Sequence, residues 1–221
     1  MPKSTFVLAM DGIQRELGPF LEDLGFRVRG RTFNRSTADG LTQVINLQMS
    51  RVDPPGAIAI PWFREVPRGM FTINVGIYVP EVAAKRGAGL QRPWPQESDC
   101  CIRARIGTLL GTGQDLWWKV SEDPLLVADV RHRLETNAIP FLERFRSREF
   151  ILAELAGRND TLGGGGPARV VCAIILACRG EAQAARRLLV EQIEENRESH
   201  PTHADYVREL GRRLDLGELD G

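Results

Sequence analysis

Three segments of this chain have the pattern of β-strands with one apolar side and an unusual polar side. They cover residues 43–50, 71–78 and 100–107, where alternate positions are mostly apolar, as expected of strands that lie on a hydrophobic core. The intervening positions carry mainly amides and arginines instead of threonine or lysine: Asn46, Gln48, Asn74, Tyr78, Arg103 and Arg105. Asparagine is disfavoured within strands because its side chain competes for backbone hydrogen bonds. Its recurrence at mid-strand therefore requires an explanation.

If neighbouring strands pair in a plausible register, these six side chains project from one side of the sheet. Amides and arginine forks on a common face can bind an anionic or peptide-like ligand, because a guanidinium holds carboxylate or phosphate with two hydrogen bonds. Antiparallel sheets also commonly leave one face in water, so an ordinary solvated surface, or a face covered by C-terminal helices, is the structural alternative.

Adjacent tryptophans mark a short last strand or edge segment at residues 115–120. Successive side chains of a strand point to opposite faces, so one ring is predicted in the core and the other on the polar side. We assign Trp117 to the candidate site, where an arginine can lie over its indole in a cation–π contact. The alternative is that both rings pack beneath the C-terminal helices.

The remaining pattern predicts the fold class. Residues 4–24 have helical periodicity and end at Gly25, residues 27–35 resemble a first strand, and Asp39-Gly40 predicts a tight turn into residues 43–50. From Pro124 onward the pattern is helical. The sequence therefore predicts an α+β fold, in which an N-terminal helix packs on a mainly antiparallel sheet of four to five strands and a helical C-terminal region follows.

Composition shifts suggest four units along the chain. We predict an α+β sheet domain at residues 1–122, helices that continue it at 123–158, a glycine-rich hinge at 159–166 and a C-terminal helical hairpin at 167–221. Two proline-rich connections, residues 53–69 and 80–99, are predicted as long loops. Loops of this length are commonly functional or mobile, so their aromatic residues are candidate partner anchors or lids on the core.

Several classes of function lack support in the sequence. The glycines at 163–166 precede a helix but lack the lysine and hydroxyl residue of a phosphate-binding loop, and no nucleophile motif is present, so no catalytic residue is assigned. His200 and His203 have no cysteine or carboxylate partner suggested by local spacing, so neither a metal nor a cofactor is predicted. The four cysteines form neither a disulfide framework nor a metal pair and are expected to be reduced core thiols.

Charge and hydropathy argue against two classes of partner, nucleic acids and membranes. The formal net charge is zero, which does not favour a nucleic-acid partner. The longest apolar run, residues 170–178, is far shorter than the roughly 20 residues of a membrane helix, so no membrane partner is predicted. We expect a cytoplasmic protein.

The motifs, taken in order, resemble a known family. They are Gly25-Phe26, Phe33, Arg35, the strands at 43–50 and 71–78, the run Ile102-Arg103-Ala104-Arg105-Ile106-Gly107 and the Trp117-Trp118 pair. Over about residues 5–150 their order and spacing are similar to those of a widespread bacterial family, domain of unknown function 4304. This family has no established activity, so the resemblance implies a strand pattern and not a chemistry.

Two functions remain as hypotheses. The first is a non-enzymatic bacterial recognition module that binds a protein partner, such as a toxin-neutralising immunity protein or a defence-associated protein. The second is an enzyme or sensor for a small anionic ligand, a nucleotide or phosphoester, with Arg103 and Arg105 as the clamp and Gln48 or Asn74 orienting the ligand.

Overall fold

A computed structural model of the chain describes residues 4–50, 69–86, 92–112, 114–158, 160, 163 and 166–219. The predicted α+β class is confirmed, with an N-terminal helix, an antiparallel sheet and a helical C-terminal region. Within the described residues five strands follow one another across the sheet, and a short sixth strand pairs with the fourth.

The first helix, α1, spans Thr5–Asp23 and begins as its sequence predicts. Ser4 caps it by accepting a hydrogen bond from the backbone N–H of Val7. The chain then leaves the helix at Gly25, whose φ of 85° is a conformation that glycine adopts without strain. The apolar stripe of α1 is buried against the core at Met10, Ile13, Leu17 and Leu21.

The strands are β1 (Arg27–Arg29), β2 (Thr32–Ser36), β3 (Thr42–Met49), β4 (Met70–Tyr78), β5 (Ile102–Arg105) and β6 (Trp118–Lys119). Strands β1 to β4 pair in sequence order as antiparallel neighbours. The other edge of β4 pairs with β5 and, further toward its start, with β6. The central strand β4 thus has partners on both sides.

Residues 27–35, expected as one strand, form two. Gly30 has a φ of 59°, which turns the chain back on itself, so β1 and β2 make a tight hairpin and Arg31 lies outside both strands. The second hairpin, from β2 to β3, turns at Gly40 as predicted.

The expected loop at residues 80–99 contains a helix, α2 (Pro80–Arg86), and a single 3-10 turn at Glu97–Asp99. The other expected long loop falls almost entirely on residues 51–68, which lie outside the described residues. After β5 follow α3 (Ile106–Leu109) and, beyond β6, α4 (Pro124–Arg133), a π-helical turn (Leu134–Ala138), α5 (Ile139–Glu143) and α6 (Arg148–Leu155).

The helical region that begins at Pro124 is divided at two places, around Pro140 and at residues 144–147. Pro140 follows the π-helical turn and lacks the N–H that would continue the preceding hydrogen-bond pattern. Ser147 then caps α6 by accepting from the N–H of Phe150.

The last three helices are α7 (Ala168–Cys178), α8 (Ala182–Asn196) and α9 (Pro201–Arg213). Helices α7 and α8 form the predicted helical pair, and α9 packs on α8. Their buried residues belong to the same hydrophobic core as α1 and the apolar side of the sheet. The division of the chain at residues 159–166 stays a prediction. No helix in the described part of the chain combines the length and apolarity needed to cross a bilayer.

An arginine and a glutamine link three elements on the core side. Gln43 of β3 is buried, donates to the backbone oxygen of Leu142 in α5 over 2.8 Å and accepts from Nε of Arg35 over 2.7 Å. Arg35 also donates to the oxygen of Leu24 at the end of α1 over 3.0 Å, pairs with Glu143 and lies over the ring of Phe26. This network ties the first helix, the sheet and α5 together.

The four cysteines differ in accessibility, which corrects the expectation that all are core thiols. Three are buried, and burial raises the pKa of Cys101 to about 12 and that of Cys172 to about 11. Cys178, at the end of α7, is exposed. Since the thiolate is the reactive form, we expect a disulfide reagent at about pH 8 to modify Cys178 alone in the native protein.

Absorbance of the released thiol-reagent anion measures this directly. The fast reaction should vanish in Cys178→Ser, and all four thiols should react after unfolding in denaturant. Rapid modification of a second thiol in the native protein would contradict the assigned burial.

Candidate functional site

The strand register brings the predicted polar residues to one side of the sheet. Asn46 lies opposite both Thr32 and Asn74, Asn74 lies opposite Arg105, and Gly76 lies opposite Arg103. We call this surface the polar face; it carries Thr32, Asn34, Asn46, Gln48, Thr72, Asn74, Arg103, Arg105 and Trp117.

A chain of hydrogen bonds crosses the centre of the polar face. The amide of Asn74 donates to Oε1 of Gln48 over 2.6 Å, and its own oxygen accepts from Nε of Arg105 over 3.2 Å. Nη1 of Arg105 donates to Asp115 over 2.5 Å. The mid-strand asparagine is therefore explained by its position, since it bridges a glutamine on one neighbouring strand and an arginine on the other.

Trp117 and Trp118 point to opposite sides of the sheet. The Trp118 ring stacks on Phe71 in the core, with 5.4 Å between ring centroids. The Trp117 ring lies beside Arg105, whose guanidinium carbon is 5.5 Å from the ring centroid, and its indole N–H donates to Asp115 over 2.8 Å. Asp115 thus holds both the arginine and the indole in place, which fixes the cation–π pair.

Arg103 has a separate carboxylate partner. Its Nε and Nη2 donate to the two carboxylate oxygens of Glu97 over 2.6 and 2.9 Å, and this hydrogen bonding raises the pKa of the guanidinium. The two strand arginines therefore lie on the same face but turn toward different acids. A ligand clamped by both would first have to compete with Glu97 and Asp115.

The segment before β5 covers the far part of the polar face. Asn34 donates to the backbone oxygen of Pro95 over 3.0 Å, and the hydroxyl of Thr32 donates to Gln96 over 2.7 Å while it accepts from Asn46. The sequence left two roles open for this connection, a partner anchor or a lid. These contacts favour a lid that packs on the sheet, and we call residues 92–100 the lid.

Tyr78 does not join the accessible part of the site. It is buried in a small cluster with Val44 and Cys100, and its hydroxyl accepts from the backbone N–H of Arg92 over 3.4 Å. The lid closes over this corner of the sheet and separates Tyr78 from the other predicted residues. Of those six, Asn74 is also buried, and the others are half-buried: Asn46, Gln48, Arg103, Arg105 and Trp117.

Helix α5 lies on the opposite, apolar side of the sheet, and the buried residues of α7 to α9 belong to the same core. Gln43 points to that side by strand alternation and bonds to α5, and the apolar side chains of β3 and β4 share their core with α7 to α9. On the polar side, contacts come from the lid, from the connection between α3 and β6, and from Ala83 of α2, which packs on the cluster around Tyr78.

Sequence reasoning did not assign the acids that orient the arginines. Glu97 and Asp115 belong to no recognisable motif, and carboxylates near strand ends are ordinarily solvated. Their role as partners of Arg103 and Arg105 is therefore visible only in the folded structure. The sequence also does not mark the role of Gly107. A β-carbon there would lie 2.4 Å from the backbone nitrogen of Leu116 and 2.6 Å from the oxygen of Gln114. The absence of a side chain at Gly107 lets the segment that carries Asp115 approach α3, which directly follows β5.

Two other sequence features have structural roles. Gly163, from the glycine run, packs on β5, where an added β-carbon would lie 2.1 Å from the carbonyl oxygen of Arg103. His203 lies 3.3 Å from the side-chain amide of Gln192, and burial lowers its pKa. In the described ranges no three acidic, histidine or cysteine side chains are grouped to hold a metal ion.

Comparison with known proteins supports the family resemblance over part of the chain. Residues 66–144 match a domain of unknown function, DUF4304. The match is shorter than the span of 5–150 expected from the motifs; it includes Asn74, Arg103, Arg105 and Trp117 but not Asn46 or Gln48. No curated protein and no solved structure matches the chain.

Proposed function

We propose that this chain, which carries a DUF4304 domain, is a non-enzymatic bacterial recognition module that binds a protein partner through its polar face. The observation that supports this best is the fixed pair of Arg105 and Trp117, both held by Asp115. Arginine and tryptophan are the residue types most enriched where binding energy concentrates at protein interfaces.

Pre-organisation adds to this argument. Binding costs free energy when long side chains must be ordered, and those already held by hydrogen bonds lose less freedom. Arg103 and Arg105 are held in this way by Glu97 and Asp115. The polar face therefore presents rigid polar groups in a fixed arrangement, as a selective protein interface requires.

Within this class, we propose a toxin-neutralising or defence-associated protein as the first context to test. Such a protein can act by occupying its partner's surface, so it needs a rigid interface and no catalytic group. The proposal requires only the polar face described above.

The alternative is a small anionic ligand, such as a nucleotide or phosphoester. A guanidinium carries five N–H donors, and Arg103 and Arg105 use only some of theirs to bond to Glu97 and Asp115. The remaining donors favour this alternative. It ranks second because a ligand clamped by both arginines would have to displace Glu97 from Arg103, and that ion pair is the more enclosed of the two.

The test is binding to the products of neighbouring genes. We expect one of them to bind the purified protein, and we expect Arg105→Ala and Trp117→Ala each to weaken that binding by about tenfold or more, measured by titration calorimetry. Arg212→Ala is the control, since Arg212 is an exposed arginine of α9, a helix that contributes no residue to the polar face.

The outcomes separate the two functions. Binding that survives both substitutions would refute the assignment of the polar face. Binding of ADP or inorganic phosphate that is lost in an Arg103→Ala, Arg105→Ala double variant would place the small-ligand function first.

A further inference from the structure

A groove continues from the polar face around the β5 edge of the sheet. Its volume is about 690 Å³, which falls within the range of small-molecule and peptide pockets. Arg103 and Arg105 line it from β5, and Arg144 and Arg158 line it from the ends of α5 and α6. Apolar side chains at the margin of the core complete the lining: Ile102, Ala104, Leu109, Phe141 and Phe145.

The charged side chains of the groove offer hydrogen-bond donors rather than acceptors, and Thr108 and Gln114 add neutral polar groups. Arg103 engages Glu97 through Nε and Nη2, and Arg158 engages Asp160 through the same two atoms, so each retains N–H groups at Nη1. The lining carboxylates, in contrast, already accept from arginines. A complementary ligand therefore supplies acceptors.

The two arginines of the second wall can exchange their partners. The side chains of Arg144 and Arg158 are 54% and 44% exposed, and their acids Glu154 and Asp160 are 32% and 53% exposed. Ion pairs this exposed contribute little to stability, so a carboxylate from another molecule can replace the internal one at small cost. The more enclosed pair of Arg103 and Glu97 stays in place as a fixed wall.

We propose that this groove binds an extended acidic segment of the protein partner. Its carboxylates bond to Arg144 and Arg158, as in other acidic motifs recognised by arginine clusters, and an apolar side chain contacts Phe141 and Leu109. The apolar lining and the near balance of four arginines against three carboxylates favour a peptide over a nucleic acid or a free polyphosphate. This inference rests on the proposed function, since it extends the same surface.

Fluorescence anisotropy with labelled model peptides tests the chemistry of the groove. The probe is a short peptide of alternating glutamate and leucine, and its counterpart has glutamine in place of glutamate. We expect the acidic peptide to bind about tenfold more tightly than the amide peptide, because charge-assisted hydrogen bonds are the stronger ones. The difference should disappear in an Arg144→Ala, Arg158→Ala double variant and persist in Arg212→Ala, an exposed arginine of α9 paired to Glu209.

Equal affinity for both peptides, or no binding of either, would overturn the inference. The proposed function is judged separately, by the partner protein. If that protein depends on Arg105 and Trp117 but is unaffected by the Arg144→Ala, Arg158→Ala change, the polar face is the interface and the acidic-segment inference is wrong. If no product of a neighbouring gene binds the protein, the proposed function is contradicted, whatever the model peptides show.

Discussion

Replacing Gly107 with alanine should lower the free energy of unfolding by about 3 kcal/mol and weaken partner binding at the same time. The new β-carbon would lie 2.4 Å from the nitrogen of Leu116 and 2.9 Å from the α-carbon of Asp115. Because these are backbone atoms, a whole chain segment must shift. That segment carries Asp115 and leads into Trp117, so the change also displaces the pair that fixes Arg105.

Denaturant unfolding of Gly12→Ala provides the matched control. Gly12 lies within α1 and has no atom within 4 Å of an added β-carbon, so alanine there should stabilise the protein by about 0.5–1 kcal/mol through helix propensity. If Gly107→Ala behaves like Gly12→Ala, the close approach of residues 114–116 to α3 is wrong.

Arg35→Ala should cost about 3 kcal/mol of unfolding free energy, again measured in denaturant. The change removes hydrogen bonds to Gln43 and to the Leu24 oxygen, and it leaves the buried Gln43 oxygen unpaired. It also removes the ion pair with Glu143, so the ends of α1 and α5 lose their link to the sheet.

Two variants separate the role of the planar Arg35 guanidinium from that of its positive charge. Arg35→Lys should recover only part of the loss, because an ammonium cannot reproduce the planar fork that reaches three acceptors. Arg29→Ala, an exposed arginine of the preceding strand, should change the unfolding free energy by no more than about 0.5 kcal/mol. A small effect of Arg35→Ala would show that the network is dispensable.

The polar face could be predicted because strand alternation is a local property. Of the segment predicted as a strand at 100–107, only residues 102–105 are a strand, and Ile106 begins α3. Once the three strands are given, the side on which Asn46, Asn74 and Arg105 lie follows from antiparallel pairing at compatible register. The opposite directions of Trp117 and Trp118 follow from the same rule and are seen in the structure.

What could not be predicted depends on contacts between distant parts of the chain. The link from Arg35 to Glu143 joins residues 108 positions apart, and no local pattern marks either side chain as a partner. For Tyr78 the strand alternation predicted the correct side of the sheet, but the lid at residues 92–100 buries its side chain. The burial of a strand position by a loop is set by tertiary packing and not by the strand's own sequence.

Site-specific photo-crosslinking to the partner tests the central claim most directly. Benzoylphenylalanine in place of Lys119, which is exposed in β6 beside Trp117, probes the polar face, and the same group in place of Leu125, 75% exposed on α4, probes a different surface. We predict covalent capture of the partner from position 119 and not from position 125. Capture from position 125 alone would contradict the assignment of the polar face as the partner-binding surface.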